Sequence, residues 1–191
     1  MRLRIQESLD RLLSQNYIAR NGDTYTFLTD DEQDIERDIR NTPVDSASII
    51  QSISQIIFGD LYLTKKFKYG NYDFPYDKII DDTAIGQPTG AVKLRIITEA
   101  ADSINTSDQA LAVKSGVNNE AIIVLSDKYP YFDDLENAAK IHKYVKSRNI
   151  SQLPDAIQHI IRGKQQQASY YEKNAKEHIV SSIIEAKIFS A

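Results

Sequence analysis

The chain has 191 residues, a hydrophobic fraction of 41% and a formal net charge of −4. This length suits one large domain or two small ones with a buried core, and no apolar run is long enough for a membrane span. The lack of cysteine excludes disulfides and thiolate metal sites and is compatible with the cytosol, while the acidic balance means that nucleic-acid binding would need a local basic patch.

The first 28 residues predict a helix followed by a β-hairpin. Residues 5–14 have helical spacing of apolar side chains, and two short apolar runs follow at residues 17–19 and 25–28. The runs are joined by Asn21-Gly22-Asp23, and Asn-Gly is favoured in tight hairpin turns, which need positive φ. Helix, strand, turn and strand form the second half of a winged helix. We therefore expect a piece of a larger protein, with two earlier helices preceding Met1.

Two more helices are predicted before residue 60. Thr29 and Glu32 fit a capping box, so a helix is expected from Asp30 to Arg40. A third helix is expected from about residue 45 to Gly59, where glycine can end a helix. It carries isoleucines at helical spacing, which predict a buried stripe: Ile49, Ile50, Ile53, Ile56 and Ile57.

A small central sheet is predicted next. Alternating or continuous apolar runs predict strands at Leu61–Tyr69, Ala91–Thr98 and Ala121–Leu125. Gly70-Asn71 signals a turn, and Tyr72–Ile80 is expected to be extended or irregular because Pro75 lies inside it. Residues 99–119 are polar and small and predict no defined element.

The remaining residues predict two helices. The acidic pair at residues 133–134 suits the first turn of a helix that ends near Ser147. From Pro154 the last segment can be helical nearly to Phe189, although Gly163 is a point at which it can break. This segment is apolar at both ends and polar in the middle, which predicts contact with two different domains or chains.

Together these elements predict an α+β fold. It combines a winged-helix-like helix–hairpin piece, a small central mixed sheet with flanking helices, and a long C-terminal helical segment. We place the first part at residues 1–43, a mixed α/β domain at residues 44–150, and the C-terminal segment at residues 151–191.

No stretch fits a catalytic, nucleotide or metal site. The run Gly86-x-x-x-Gly90-x-x-Lys93 lacks a lysine directly after the second glycine and leads into a strand. In the apolar run 121–127 the acid comes two residues too late for a metal-holding ATPase strand. The carboxylate pairs at residues 81–82 and 133–134 are adjacent in sequence and do not predict a facing pair. The histidines are widely separated: His142, His159 and His178. We therefore predict no enzyme activity, no cofactor and no metal for this chain.

One basic and aromatic stretch is a candidate nucleic-acid site. Lys65, Lys66 and Lys68 interleave with aromatic residues, including Tyr69, and single-stranded nucleic acid requires cations and stacking platforms together. The same lysines can instead protect an edge strand from pairing with other chains, which is the interpretation that we favour.

Three arginines are the other candidate. Arg2, Arg4 and Arg11 lie on or before the first helix, which would occupy the DNA groove in a winged helix. Six acids follow between Asp30 and Asp38, and their charge would weaken binding to a phosphate backbone. Contact with protein is therefore the better interpretation of this segment.

The order of the elements resembles a region of a known family. It is similar to the part after the ATPase core in the large P-loop proteins of the BREX phage-defence systems, the BrxC/PglY family. The similar stretches are residues 9–25, 71–82 (with Phe-Pro-Tyr-Asp-Lys-Ile-Ile-Asp-Asp), 93–98 and 135–167. The resemblance implies a cytoplasmic bacterial protein and a part of a multidomain ATPase. The family's nucleotide-binding residues have no counterpart here.

On this resemblance we predict a non-catalytic interaction module. It would link the ATPase core to partner proteins of the defence complex or to another copy of itself. The alternative is a nucleic-acid-binding module that uses the basic and aromatic strand and the winged-helix-like segment.

Overall fold

The computed structural model describes residues 2–21, 24–88, 92–101 and 106–190. The fold is mixed α+β, as predicted, with a mixed six-stranded sheet and a long C-terminal helix. The chain divides into two compact units, residues 1–44 with 137–169 (unit 1) and residues 45–136 with 170–191 (unit 2). Among the helices of the described residues, none combines the length and apolar character that crossing a lipid bilayer requires.

The helices are α1 (Arg2–Ser14), α2 (Asp30–Arg40), α3 (Ser46–Ser54), α4 (Asp108–Asn118), α5 (Tyr131–Lys146) and α6 (Asp155–Ile184), with a π-helical segment at Gln55–Leu61 and a 3₁₀ turn at Ile150–Gln152. The strands are β1 (Ile18–Asn21), β2 (Thr24–Phe27), β3 (Lys66–Tyr69), β4 (Tyr72–Ile80), β5 (Thr83–Ile85), β6 (Val92–Ile97), β7 (Glu120–Val124) and β8 (Lys187–Phe189). Helices α5 and α6 contribute residues to both units. The predicted three-part division of the chain stays a prediction.

Unit 1 contains the predicted helix and hairpin. Strands β1 and β2 pair antiparallel, with Ile18 opposite Phe27 and Asn21 opposite Thr24. The predicted turn at Gly22-Asp23 lies outside the described residues. The order of helix and hairpin agrees with the sequence analysis, and its assignment to a winged helix stays a prediction.

Helix α2 begins with the capping box that the sequence predicts. The Glu32 backbone N–H donates to Thr29 Oγ1 at 3.3 Å, and the Thr29 N–H donates to Glu32 Oε2 at 2.8 Å. These bonds satisfy two backbone groups that a helix start otherwise leaves unpaired. Ile35 and Ile39, four residues apart, are buried on one side of the helix.

Unit 2 is built on the six-stranded sheet. The strand order is β3-β4-β6-β7-β8, with β5 beside β4. Strands β4, β6 and β7 are parallel, and β3, β5 and β8 pair antiparallel with their neighbours. On one face, Leu111 of α4 forms a buried cluster with Ile97, Ala101 and Ile122. Of the predicted isoleucine stripe, Ile49, Ile53 and Ile57 are buried.

The predicted strand at residues 61–69 is wrong in its first half. The strand begins at Lys66, because the chain stays helical through Leu61 in a π-helical segment. This segment ends with a bond from the Tyr62 N–H to the Ile57 carbonyl at 2.7 Å. Gly59 therefore lies inside a helix instead of ending one. A side chain there would meet the amide of Gln55, which occupies the space beside it.

The secondary structure of three segments in the second half of the chain also differs from the prediction. Helix α4 lies in the stretch for which no element was predicted, since it has only a weak apolar stripe and leaves Val113 and Val117 exposed. Gly163 does not break α6, because one exposed glycine in a helix costs only about 1 kcal/mol. Residues 187–189, which were predicted as nearly the end of that helix, pair with β7 as a strand.

Candidate interaction surface

The candidate surface lies on the hairpin of β3 and the first half of β4. Gly70-Asn71 forms its two-residue turn, as predicted, and the register places Tyr69 opposite Tyr72 and Phe67 opposite Phe74. Gly70 has a φ of +59°, which suits the first central position of a type II′ turn. The turn thus sets the register that places these four rings opposite one another.

All aromatic residues of the hairpin share one face. Side chains alternate between the faces of a strand, so residues 67 and 69 of β3 project with residues 72, 74 and 76 of β4. We call these five residues the aromatic face: Phe67, Tyr69, Tyr72, Phe74 and Tyr76. The exposed fractions of Phe67, Tyr69 and Tyr72 are 58%, 72% and 70%. The face is therefore a large apolar surface that the described residues leave open.

A cavity of about 350 Å³ lies against this face. Its floor continues onto the neighbouring strands through Val92 and Leu94 of β6 and Ala121 of β7, and Tyr62 lines its side. Tyr76 and Val92 are register partners in parallel strands, so their side chains lie on the same side of the sheet. The cavity is concave and largely apolar, which suits an apolar ligand or side chain.

The inner part of the aromatic face is held by contacts within unit 2. The Tyr76 hydroxyl donates to the Thr64 carbonyl, and the Tyr76 and Tyr62 ring centres are 6.1 Å apart. Burial, and then the neighbouring Tyr62, raise the pKa of Tyr76 to about 12, so this hydroxyl remains neutral near pH 7. Lys78 Nζ lies 4.8 Å from the centre of the Phe58 ring, within cation–π range.

The lysines of β3 project to the opposite face. Lys66 is the register partner of Pro75 and Lys68 that of Asp73, so their side chains point away from the rings. Lys66 Nζ lies 3.8 Å from Asp73 Oδ2, and both side chains are largely in solvent, where such a pair contributes little. Lys65 is exposed and precedes the strand. The structure thus separates Tyr69 from Lys66 and Lys68, which the sequence analysis grouped.

The predicted arginines belong to unit 1, whereas the lysines belong to unit 2. Arg4 and Arg11 are exposed on α1 and lie seven residues apart, which places them on one side of the helix. The side chain of Arg2 lies outside the part that the structure describes.

The acids of α2 are partly neutralised within unit 1. Arg148 Nη2 lies 2.6 Å from Asp38 Oδ2, and Lys164 forms an ion pair with Glu36. Burial lowers the pKa of Lys164, whose ammonium lies among residues of its own unit. The negative charge between residues 30 and 38 is therefore smaller in effect than a count of its acids suggests.

Several polar residues in and directly after the parallel strands bind one another. Asp81, directly after β4, accepts from the Thr98 N–H at 2.7 Å and from Thr98 Oγ1 at 2.9 Å. Burial raises the pKa of Asp81 above its ordinary value. Arg95 donates to Glu120 at 3.0 Å and to Asp82 at 3.0 Å. These contacts stabilise the sheet and leave no arrangement of acid, base and nucleophile.

The structure places one histidine beside a carboxylate. His178 Nδ1 lies 2.8 Å from Asp134 Oδ2, and burial raises the pKa of Asp134. Among the described residues, no group of three or more His, Cys, Asp or Glu side chains is arranged to hold a metal ion.

Comparison with known families identifies this domain. A family model described as the fourth domain of the BREX ATP-binding protein BrxC, with a six-stranded β sheet, matches residues 42–191. The chain belongs to this family. It therefore represents a region C-terminal to the ATPase core of a phage-defence protein, as the resemblance predicted. The sheet of unit 2 has the six strands that the family description states. No solved structure matches the chain.

Part of the BrxC domain's aromatic face was not predicted from the sequence. Phe74 and Tyr76 were assigned to a segment of uncertain structure because Pro75 lies between them. The turn could have indicated them, since a two-residue turn at Gly70-Asn71 pairs residue 69 with 72 and residue 67 with 74 and so extends the strand past residue 72. The contributions of β6 and β7 had no such signal, because they depend on strand pairing over long sequence separations.

Proposed function

We propose that the aromatic face is a protein-docking surface of this BrxC domain. The observation that supports it is a contiguous set of exposed rings beside an apolar cavity. Large exposed apolar patches mark interaction sites, and burying aromatic rings contributes strongly to protein association. Docking would join the ATP-binding protein to another component of the defence complex or to another copy of itself.

In this proposal the domain binds a partner and catalyses no reaction itself. Arg95 donates to the Glu120 carboxylate and to the Asp81 carbonyl, and the Asp81 carboxylate accepts from the Thr98 N–H. None of these contacts activates a nucleophile. The proposed role is therefore to hold an assembly together in the cytoplasm, with nucleotide chemistry left to other parts of the ATP-binding protein. In the same way, the helix and hairpin of unit 1 would serve as a winged-helix-like element that contacts protein.

The test compares two double variants of exposed residues in unit 2. Phe67→Ser with Phe74→Ser removes two rings of the aromatic face, and Val113→Ser with Val117→Ser is the control on α4. Each variant is titrated, by isothermal calorimetry, with the remaining part of the ATP-binding protein and with each purified component of the defence system. The self-association of the wild-type chain and of both variants is measured by analytical ultracentrifugation.

We expect the aromatic variant to weaken binding to one of these proteins, or self-association, by at least about tenfold, because interfacial aromatic residues often contribute more than 1 kcal/mol each. The valine control should bind as the wild type does. Equal binding by both variants would overturn the proposed surface.

Nucleic-acid binding is the second candidate. Exposed rings can stack on bases, and three exposed lysines lie on or beside the same hairpin. The rings and the strand lysines face opposite ways, and the chain is acidic, so we expect a dissociation constant of about 10⁻⁴ M or weaker at physiological salt. Fluorescence anisotropy with labelled single- and double-stranded DNA measures it. Submicromolar, salt-sensitive binding that is lost on changing Lys65, Lys66 and Lys68 to Glu would favour this candidate instead.

A further inference from the structure

We propose that the partner of the aromatic face adds to β3 as an extended strand, and that this partner segment alternates apolar and acidic residues. The inference rests on the proposed docking function and specifies its binding mode. It follows from the free edge of β3, the direction of its backbone groups, and the different chemistry of its two faces.

Strand β3 is an edge of the sheet. It stands at the end of the strand order, and in the described part of the chain it pairs only with β4. All four of its residues are exposed. An edge strand presents backbone donors and acceptors to which another strand can bind.

The turn determines which backbone groups face outward. In a hairpin with a two-residue turn, the residues that flank the turn form a hydrogen-bonded pair, and such pairs alternate along the ladder. Tyr69 and Phe67 therefore bond to β4, while the N–H and C=O groups of Lys66 and Lys68 point to the outer edge. Pro75 agrees with this pattern. It stands opposite Lys66 in a pair that is not hydrogen-bonded, so the N–H that proline lacks is not needed for pairing with β3.

The two faces of β3 select the residues of an added strand. Alternate side chains of that strand would lie beside Phe67 and Tyr69 and reach the apolar cavity, so they should be apolar. The others would lie beside Lys66 and Lys68, where acidic side chains are favoured across neighbouring strands.

The same charges argue against a second copy of β3 as the added strand. Pairing two β3 strands would place the lysines of one beside the lysines of the other, and like charges on adjacent strands are destabilising. The lysines therefore disfavour self-pairing and favour an acidic segment from another protein or from another part of the ATP-binding protein.

The test uses three capped, fluorescein-labelled ten-residue peptides and the whole 191-residue chain. One peptide alternates Leu and Glu, one alternates Leu and Lys, and one has the Leu-Glu composition in two blocks. Anisotropy gives their dissociation constants at low and moderate salt. The alternating acidic peptide should bind at least about tenfold more tightly than either of the others, since only it matches both faces of β3.

Proline variants test strand addition directly. Lys68→Pro removes an outward N–H and leaves the bonds between β3 and β4, whereas Lys68→Ala removes the same side chain and keeps that N–H. Lys66→Pro is an independent second variant, and two-dimensional NMR of each variant shows that the sheet is intact. We expect either proline to weaken binding of the acidic peptide about tenfold relative to Lys68→Ala, the effect of one lost hydrogen bond and a blocked ladder.

The outcomes distinguish this inference from the proposed function. If folded Lys68→Pro and Lys66→Pro variants bind like Lys68→Ala, or if the acidic peptide does not bind, strand addition is overturned. If strand addition is overturned but the double variant Phe67→Ser with Phe74→Ser still loses binding to the natural partner, the aromatic face is a docking surface that binds its partner in another way. Tight single-stranded DNA binding lost in the lysine variants, with no peptide binding, would replace both by the nucleic-acid candidate.

Discussion

Arg95 lies between the apolar residues Leu94 and Ile96 of β6, and its own side chain is mostly buried as well. It lies between two carboxylates at equal distances of 3.0 Å, one from Glu120 and one from Asp82. The Glu120 side chain has no exposed area, and the Asp82 side chain is 75% exposed. Burial rather than distance should therefore decide what each contact contributes, because water screens the exposed pair.

Removing the two carboxylates separately tests this difference. Glu120→Ala should lower the free energy of unfolding by about 3 kcal/mol, because it removes the buried carboxylate from a mostly buried guanidinium and leaves only the solvent-exposed Asp82 carboxylate beside it. Asp82→Ala should lower it by less than about 1 kcal/mol. Urea unfolding measures both values. Similar losses for the two variants would show that burial does not separate the pairs.

Asp81 makes stability depend on pH. Burial raises its pKa in the folded protein, so between the ordinary and the raised pKa the folded state binds more protons than the unfolded state. The stability contributed by the protonated group is present at low pH and is lost as pH rises through that interval. Asp81→Asn removes the titration and suits the positive φ of +53°.

We therefore expect the stability of Asp81→Asn relative to wild type to increase as pH rises through this interval, and to be constant on either side. Urea unfolding of both proteins from pH 3.5 to pH 7.5 gives the difference, in which titrations shared by the two proteins cancel. A difference that decreases with rising pH would contradict a raised pKa for Asp81.

Among the elements, α6 and the β3–β4 turn each contain a glycine, and the two glycines differ in their backbone conformation. Gly163 lies in a continuous helix, where an added Cβ would meet open space. Gly70 also has open space around it, but its φ of +59° is a conformation that other residues rarely adopt. The backbone angle, rather than the available space, distinguishes the two positions.

Alanine substitutions should consequently have opposite effects. Gly163→Ala should raise the free energy of unfolding by about 0.5–1 kcal/mol through helix propensity. Gly70→Ala should lower it by about 1 kcal/mol, because alanine is strained at that φ. Thermal and urea unfolding followed by circular dichroism report both. A loss of stability in Gly163→Ala would mean that α6 is interrupted at this position, as the sequence analysis allowed.

For the whole molecule, the family match identifies a domain of an ATP-binding protein but assigns no activity to this chain. We expect the 191-residue chain to release no phosphate from ATP with Mg²⁺, because no glycine-rich loop is followed directly by Lys and Ser or Thr. A phosphate-release assay on the pure protein checks it. Turnover that persists at constant specific activity through further purification would show a nucleotide site of another kind.

The predicted role of the C-terminal segment in joining chains can be tested at an exposed residue of α6. Ile179 is fully buried and counts within unit 2, so Ile179→Asp should unfold the protein, since an unpaired buried charge costs several kcal/mol. Ile184 is exposed, and Ile184→Asp should leave the fold intact. Loss of assembly by light scattering in a folded Ile184→Asp variant would support contact between chains.

The sequence by itself determined the features that depend on neighbouring residues. The capping box of α2, the turn at Gly70-Asn71 and the buried isoleucines of α3 follow from local hydrogen bonding, backbone angles and helical spacing. The family resemblance likewise required only the order of such elements, and the comparison confirmed it.

Only the tertiary structure decided how distant segments combine. The parallel pairing of β4, β6 and β7, the addition of β8, and the burial of Arg95 beside Glu120 all depend on contacts between residues that are distant in the sequence. The pairing of β4 with β6 also decided that the rings share their face of the sheet with Val92 and Leu94, because a one-residue difference in register would place these two side chains on the opposite face. Local propensity contains no information on these choices, which minimise exposed apolar area and unpaired polar groups over the whole sheet.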